Sequence, residues 1–496
     1  MLRGKIVDYA TSSASRRVSQ LAASRMGAFG TAMQRKAMST AAEDLELLET
    51  LMAKAKARAD ADKKAEAAAN AAAGPRFQIQ TFNAISPIGL KAFPDRAFVM
   101  TGSSGPVPDG VDEEPHAVLL RSHKLQGDEV QSSVRAIARC GAGTNNIPIP
   151  DMTARGIPVF NTPGANANAV KELVITSLLL ASRGIIEGID HTKTKIVPEE
   201  GEHKKIAARI EKDKKHFVGQ EIAGKTLAVA GLGNIGAMVA EAALALGMNV
   251  VGYDPKISVD AAWRLPNSVT KMASLEDMFA AADYVSINMP YIKDATHGII
   301  NESVLSKMKP NCHILNMARG EIVDGAALKA KYASGHTGKY ICDFADEAMQ
   351  NHPNFICIPH LGASTAEAED NCAKMAAEQI INYLETGTIK NAVNFPAAQL
   401  DRQGDGTTRL CVINNNKPGV LADITNIISA ENVNIAQQLN TSRESIAYNV
   451  IDMDSLSPEA SKTIQEKIHA IDGVLSTRII WEGTASEGPS SFMTKA

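Results

Sequence analysis

No uninterrupted apolar run in this chain approaches the length of a membrane-spanning helix, about 18 to 20 residues, and its most apolar stretch, Leu173 to Ala181, is roughly half that. No membrane partner is expected. Charge imbalance is also small: 51 Lys and Arg against 55 Asp and Glu leave a net charge of −4. That balance argues against nucleic acid as a partner of the whole surface and leaves any charged ligand to a local cluster. Cysteine is scarce. The six, Cys140, Cys312, Cys342, Cys357, Cys372 and Cys411, form no CxxC pair and no regular spacing, so they read as reduced thiols, with neither a disulfide framework nor a metal site.

At 496 residues the chain is longer than one hydrophobic core usually supports, and about two to four domains are expected. Residues 1–42 hold seven Lys or Arg, many Ser and Ala, and a single acid, Asp8. That composition suits a transit peptide for the mitochondrion or plastid; the plainer reading is a disordered tail or misplaced start, with the chain left in the cytoplasm. Residues 43–75, rich in Ala, Lys and Glu, read as a helical or disordered linker.

From 76 to 170 short apolar runs alternate with polar helical stretches: Phe77 to Phe82, Ala97 to Met100, Ala117 to Leu120, Ala136 to Ala138 and Ile157 to Phe160. This predicts parallel βαβ units. Ala169 to Ser182 predicts a helix crossing into a second such unit, over 171–362. The charged stretch at 187–217 holds too few apolar residues to face a core and reads either as a projecting oligomer contact or as a solvated helix. Residues 407–482 read βαββαβ, with strands at Thr408 to Ile413, Asn434 to Ser442, Ser445 to Ile451 and Val474 to Trp481. The tail, 483–496, lacks a core pattern. The expected architecture is α/β: two Rossmann-like doubly wound parallel-sheet domains followed by a small α+β module.

Lys225 to Ala240 reads KTLAVAGLGNIGAMVA, a strand followed by Gly231-x-Gly233-x-x-Gly236 and a helix start, and a further strand delivers Asp254 eighteen residues on. In that setting Gly231 permits the turn, Gly233 admits a pyrophosphate and Gly236 packs helix on strand. Asp254 suits ribose hydroxyls and repels a 2′-phosphate. The cofactor expected is NAD.

Beyond this half, Arg319 in NMARGEIVD, Glu347 in CDFADE and His360 in IPHLGAST each follow a strand-like run, which puts them at the carboxyl edge of a parallel sheet. Oxidising a 2-hydroxy acid asks for a cation to hold the carboxylate, a base for the hydroxyl proton and a group to tune that base. Arg319, His360 and Glu347 supply these types. VAGLGNIG, INMP and these three motifs occur in the order found in the D-isomer-specific 2-hydroxyacid dehydrogenases, which the chain resembles over about 76 to 395. The resemblance implies that Asn234 and Ile235 line the pyrophosphate and that Pro290, Met317, Ala318, Asp343 and Gly362 surround the nicotinamide. It also implies a substrate-binding domain completed by residues 363–400.

A phosphorylated substrate needs further cations, and LLRSHKL and IARCGAG offer Arg121, Ser122, Lys124 and Arg139, with backbone amides near Gly143. RSHK, RCGAGTNN and NTPGANANAVKELVI are similar to the branch of the family acting on 3-phosphoglycerate, which opens serine biosynthesis; glycerate or lactate, or a non-catalytic NAD-sensing relative, are the rival readings. NNNKPGVLADI resembles the start of an ACT domain. By that likeness Asn416 and Asn434 would hold a serine effector, while Asn414 stands where relatives carry a histidine. The alternative is an ACT module that only pairs subunits, in a homodimer or homotetramer.

Overall fold

A computed structural model describes residues 77–94, 97–102, 114–401, 406–480 and 492–495, with Lys56 alone before them. The expected leader and linker lie outside the described residues. So does Trp481.

Five strands, β1 (Phe77–Phe82), β2 (Phe98–Gly102), β3 (Ala117–Leu120), β4 (Ala136–Arg139) and β5 (Val159–Phe160), form a parallel sheet in the order β2-β1-β3-β4-β5. Every residue of β3 is fully buried. An unbroken apolar run is what a strand covered on both faces requires. The register pairs Ile79 with Ala117 and Ala117 with Ala136, so the carboxyl ends of β3 and β4 deliver Arg121 and Arg139 to one edge.

Helix α1 (Ala167–Ser182) leaves this sheet and packs Val174 and Leu178 against Leu227, Val239 and Tyr284 of the next. Between the two lies the charged segment, which includes α2 (His203–Asp213). It folds on itself: Asp213, buried, accepts from Arg209 at 2.7 Å and pairs with His191 at 2.9 Å. This segment and its flanks leave Ile185, Ile186, Ile189, Val197, Ile210 and Val218 exposed.

The second sheet runs β12-β11-β10-β9-β6-β7-β8, all parallel, from β6 (Thr226–Ala230), β7 (Asn249–Tyr253), β8 (Thr270–Lys271), β9 (Tyr284–Ile287), β10 (His313–Asn316), β11 (Tyr340–Cys342) and β12 (Phe355–Cys357). Strand order reverses between β6 and β9. Such a switch point opens a crevice at the carboxyl ends, where α3 (Asn234–Ala245) begins.

Helix α4 (Ala366–Thr386) returns to the first sheet. Thr365 caps it by accepting from the Ala368 amide, and Glu367 and Glu369 sit in its first turn, where the helix dipole favours acids. Ala373, Ala376 and Ala377 keep its sheet-facing side thin, and Ile380, Tyr383 and Leu384 fill the core beyond. Fully burying one such aliphatic side chain contributes about 1.5–3 kcal/mol.

The last sheet is antiparallel, β14-β15-β13-β16-β17, from β13 (Thr407–Asn415), β14 (Ile435–Arg443), β15 (Ile446–Asp454), β16 (Val474–Ile480) and β17 (Phe492–Thr494). Helices α5 (Val420–Ala430) and α6 (Pro458–His469) cover one face. The other face, through Cys411, Ile413, Tyr448, Val450 and Ile480, packs on the end of α4. A helix ends with carbonyls that lack partners. Here Arg478 donates to the Tyr383 and Leu384 carbonyls, Arg409 to Thr386 and the Tyr448 hydroxyl to Gly387, at 2.6 to 3.2 Å. The tail, read as lacking a core pattern, contributes β17, which pairs with β16.

Candidate active site between two parallel sheets

A cleft of ≈ 1920 Å³ runs along the carboxyl edges of the two parallel sheets. Behind one wall, Gly231 follows β6 at φ +90°, and a Cβ there would lie 2.8 Å from the Met289 amide nitrogen; at Gly236 one would strike the Gly231 carbonyl oxygen at 1.9 Å. Both positions exclude side chains. At Gly233, by contrast, a Cβ would meet nothing within 4 Å. That open space faces the start of α3, which has no side-chain cap, so its first amides and dipole are left for an anion. Asp254, half-buried, accepts from the Leu232 amide through Oδ2 (2.9 Å) and the Lys256 amide through Oδ1 (3.0 Å), which fixes the carboxylate beside the glycine loop. These features fit a dinucleotide.

Asn234, Ile235, Pro290, Met317, Ala318, Asp343 and Gly362 line the cleft, while Gly231, Gly233, Gly236 and Asp254 stand outside its lining. Asp343 does more than line it. Its two oxygens accept from the Leu361 and Gly362 amides at 2.7 and 2.8 Å, pinning the loop that carries His360. Asn316, fully buried, likewise donates to the Arg319 carbonyl (2.9 Å) and accepts from the Ala318 amide (3.1 Å). Sequence reading missed both positioning contacts.

Arg319, Glu347 and His360 all line the same cleft. The Arg319 guanidinium sits 5.6 Å from the centre of the Phe344 ring, and that ring meets the His360 imidazole edge-on at 4.9 Å. His360 holds a left-handed backbone, φ +54°, which is uncommon outside glycine. No hydrogen bond between Glu347 and His360 is among the contacts of the described residues. Phe344, whose role no motif announced, is the group that touches both Arg319 and His360.

Arg121, Ser122, Arg139 and Gly143 line the opposite wall. A Cβ on Gly143 would stand 3.1 Å from Arg319 Nη2 and 3.9 Å from Arg139 Nη1, so two guanidiniums flank that loop. Arg139 donates to the Arg121 carbonyl (3.1 Å), and Arg121 pairs with Glu369 at 2.7 Å. Burial, with Arg319 and Arg121 close by, lowers the Arg139 pKa. Asn83 orders the neighbouring turn by accepting from the Ser122 and His123 amides. Lys124 is a correction: it is exposed and does not line the cleft. Cys140 does line it, but burial pushes its thiol up to about 12, so it is no nucleophile.

Asn416 and Asn434 are not brought together within the chain. Asn416 donates to the Glu444 carbonyl (3.2 Å) past the end of β13, while Asn434 meets Asp454 at the opposite end of the sheet. At about 3.4 Å per residue, that is roughly 25–30 Å apart. Asn414 is buried, with Nδ2 on the Asn415 carbonyl and Oδ1 accepting from Asn449.

Comparison with known proteins decides the family. Residues 176–362 match the model described as D-isomer specific 2-hydroxyacid dehydrogenase, NAD binding domain. D-3-phosphoglycerate dehydrogenase of Dictyostelium discoideum is 31% identical over 425 residues, covering 82% of this chain and 98% of that protein. The chain belongs to the D-3-phosphoglycerate dehydrogenase family. It is therefore an NAD-dependent oxidoreductase, and NAD is its cofactor. The Escherichia coli enzyme of the same name is 32% identical over 383 residues, 74% of this chain and 87% of that one. Residues 410–476 match an AHAS small subunit-like ACT domain, in agreement with the expected module. Among solved structures, apo D-mandelate dehydrogenase of Rhodotorula graminis shares the fold at TM-score 0.54 and 21% identity, covering 66% of this chain and all of that one.

Proposed function

We propose that the chain oxidises 3-phosphoglycerate to 3-phosphohydroxypyruvate, the opening step of serine biosynthesis. One observation carries the reading: Arg121, Arg139, Arg319 and His360 line a single cleft that faces the uncapped start of α3. Arg319 binds the substrate carboxylate as a planar fork, and Arg121 and Arg139 take the phosphate. Bound NAD supplies the acceptor for the hydride leaving C2. The hydroxyl proton passes to the His360 imidazole, Asp343 holds the loop in place, and Phe344 fixes the ring. Glu347 is the group that would favour the imidazolium.

Reduction of NAD followed at its absorbance with 3-phosphoglycerate, against glycerate and D-lactate, tests this. A preference for the phosphorylated substrate supports the assignment, and equal turnover of lactate would overturn it.

The ACT module is proposed to take an amino-acid effector, serine being the first to try. A site using both Asn416 and Asn434 needs two copies of the chain, and the apolar side chains exposed from Ile185 to Val218 suit a pairing surface. Residues 1–42 are proposed as a leader removed in an organelle, which N-terminal sequencing of the mature protein checks.

A further inference from the structure

Cys342 ends β11 and Cys357 ends β12, and the register places them directly opposite one another on adjacent parallel strands. Register partners project to the same face of a sheet, and neighbouring strands stand about 4.8 Å apart. That spacing falls inside the Cα separation of disulfides, about 4.4–6.8 Å. Both sulfurs already point the same way: each donates to the Phe344 carbonyl, Cys342 at 2.9 Å and Cys357 at 3.4 Å. Cys342 is buried whereas Cys357 is exposed, so one thiol is open to reagents and the other waits behind it.

We propose that Cys342 and Cys357 form a reversible disulfide that governs the catalytic cleft, with a small-molecule disulfide such as glutathione disulfide as oxidant. The Cys357 thiolate attacks one sulfur of the oxidant, its S–S bond breaks, and the first glutathione leaves as a thiol. Cys342 then gives up its proton and attacks the Cys357 sulfur, releasing the second glutathione. Two protein thiols become one disulfide, and the oxidant becomes two thiols. Burial pushes the Cys342 thiol up to about 12, so the second step is the slow one and quickens as pH rises.

The consequence reaches the cleft through short paths. β11 runs directly into Asp343, Phe344 and Glu347, and β12 reaches His360 three residues after Cys357. Closing the bond removes both S–H donors from the Phe344 carbonyl, and the Phe344 ring is what meets Arg319 and His360. A displacement near 1 Å at such a site can lower turnover by about 100-fold.

The activity readout rests on the proposed dehydrogenase function; the chemical readout does not. The full-length protein is held in glutathione buffers of increasing oxidation, then alkylated, digested and mapped by mass spectrometry, with turnover measured in parallel. Expected are a Cys342–Cys357 peptide pair, a fall in turnover of at least about tenfold, and recovery with dithiothreitol. Cys357→Ser, at an exposed position outside the cleft, should keep its basal turnover and lose the sensitivity. A mixed disulfide on Cys357 with no Cys342–Cys357 pair would overturn the proposal, as would a pair that leaves turnover unchanged. Absence of any turnover with 3-phosphoglycerate would instead strike the proposed substrate and leave the peptide map to decide.

Discussion

Replacing Asp452 by Ala removes one carboxylate from the interior of the ACT module, and the structure gives the size of the loss. The Arg409 and Asp452 side chains are 1% and 0% exposed, joined by two bonds of 2.6 and 2.8 Å, and Gln437 donates to the same carboxylate at 2.7 Å. Without Asp452 the guanidinium stays buried with only the Thr386 carbonyl as partner. Removing one partner of a buried ion pair costs about 3–5 kcal/mol, whereas exchanging both for apolar groups of similar volume is often nearly neutral. Arg409→Met with Asp452→Leu would still leave the Thr386 carbonyl without its Arg409 donor, at about 1–3 kcal/mol, while Gln437 keeps the Asp401 carbonyl. The double variant should therefore be more stable than Asp452→Ala alone. Urea unfolding of the variants, with protection of the β13 and β15 amides followed by hydrogen exchange, reads the difference within the module. A cost below about 1 kcal/mol for Asp452→Ala, or a double variant less stable than the single, would refute the reasoning.

His360→Ala should lower kcat by about 10²–10⁴ while NAD binding, read by calorimetry, holds; unchanged turnover removes the base assignment. Arg139→Ala should raise KM for the phosphorylated substrate, whereas Lys124→Ala, outside the cleft, should leave it unchanged in the same steady-state assay. Asp254→Ala should weaken NAD binding and narrow the preference over NADP, seen by titrating both cofactors. His116, buried against Arg135, has its pKa lowered from 6.5 to about 3, burial being the main cause. The native state thus binds fewer protons than the unfolded one, so this stability is whole above pH 6.5 and is lost as pH falls from 6.5 towards 3, at about 1.4 kcal/mol per pH unit. Its imidazole resonance should not titrate between about pH 8 and 5, and a midpoint near 6.5 would contradict the burial argument.

What was legible in the sequence is what local chemistry dictates. The glycine fingerprint, the buried run of β3 and the order of the Arg319, Glu347 and His360 motifs each follow from a short stretch and its strand-then-turn setting. Asp343, Asn316 and Asn83 were not legible in their positioning roles, because their side chains bond to backbone amides and carbonyls that only the folded loops supply. Lys124 was misplaced for a related reason: three residues beyond Arg121, it follows a turn held by Asn83 and is exposed outside the cleft lining. The facing of Cys342 and Cys357 depends on a register between strands, which spacing along the chain does not encode. Docking of the ACT sheet on α4 was hidden because β15 is apolar on both faces, a pattern that says covered twice without saying by what.

The short strand β17 has a consequence for growth by strand addition. An antiparallel sheet normally offers two hydrogen-bonding rims to other chains. The chain's own tail occupies the rim at β16, and among the described residues no strand lies beyond β14. The rim on that side is now a strand of 3 residues, too short to template much pairing, whereas β14 presents 9, so growth by strand addition is confined in practice to the β14 side.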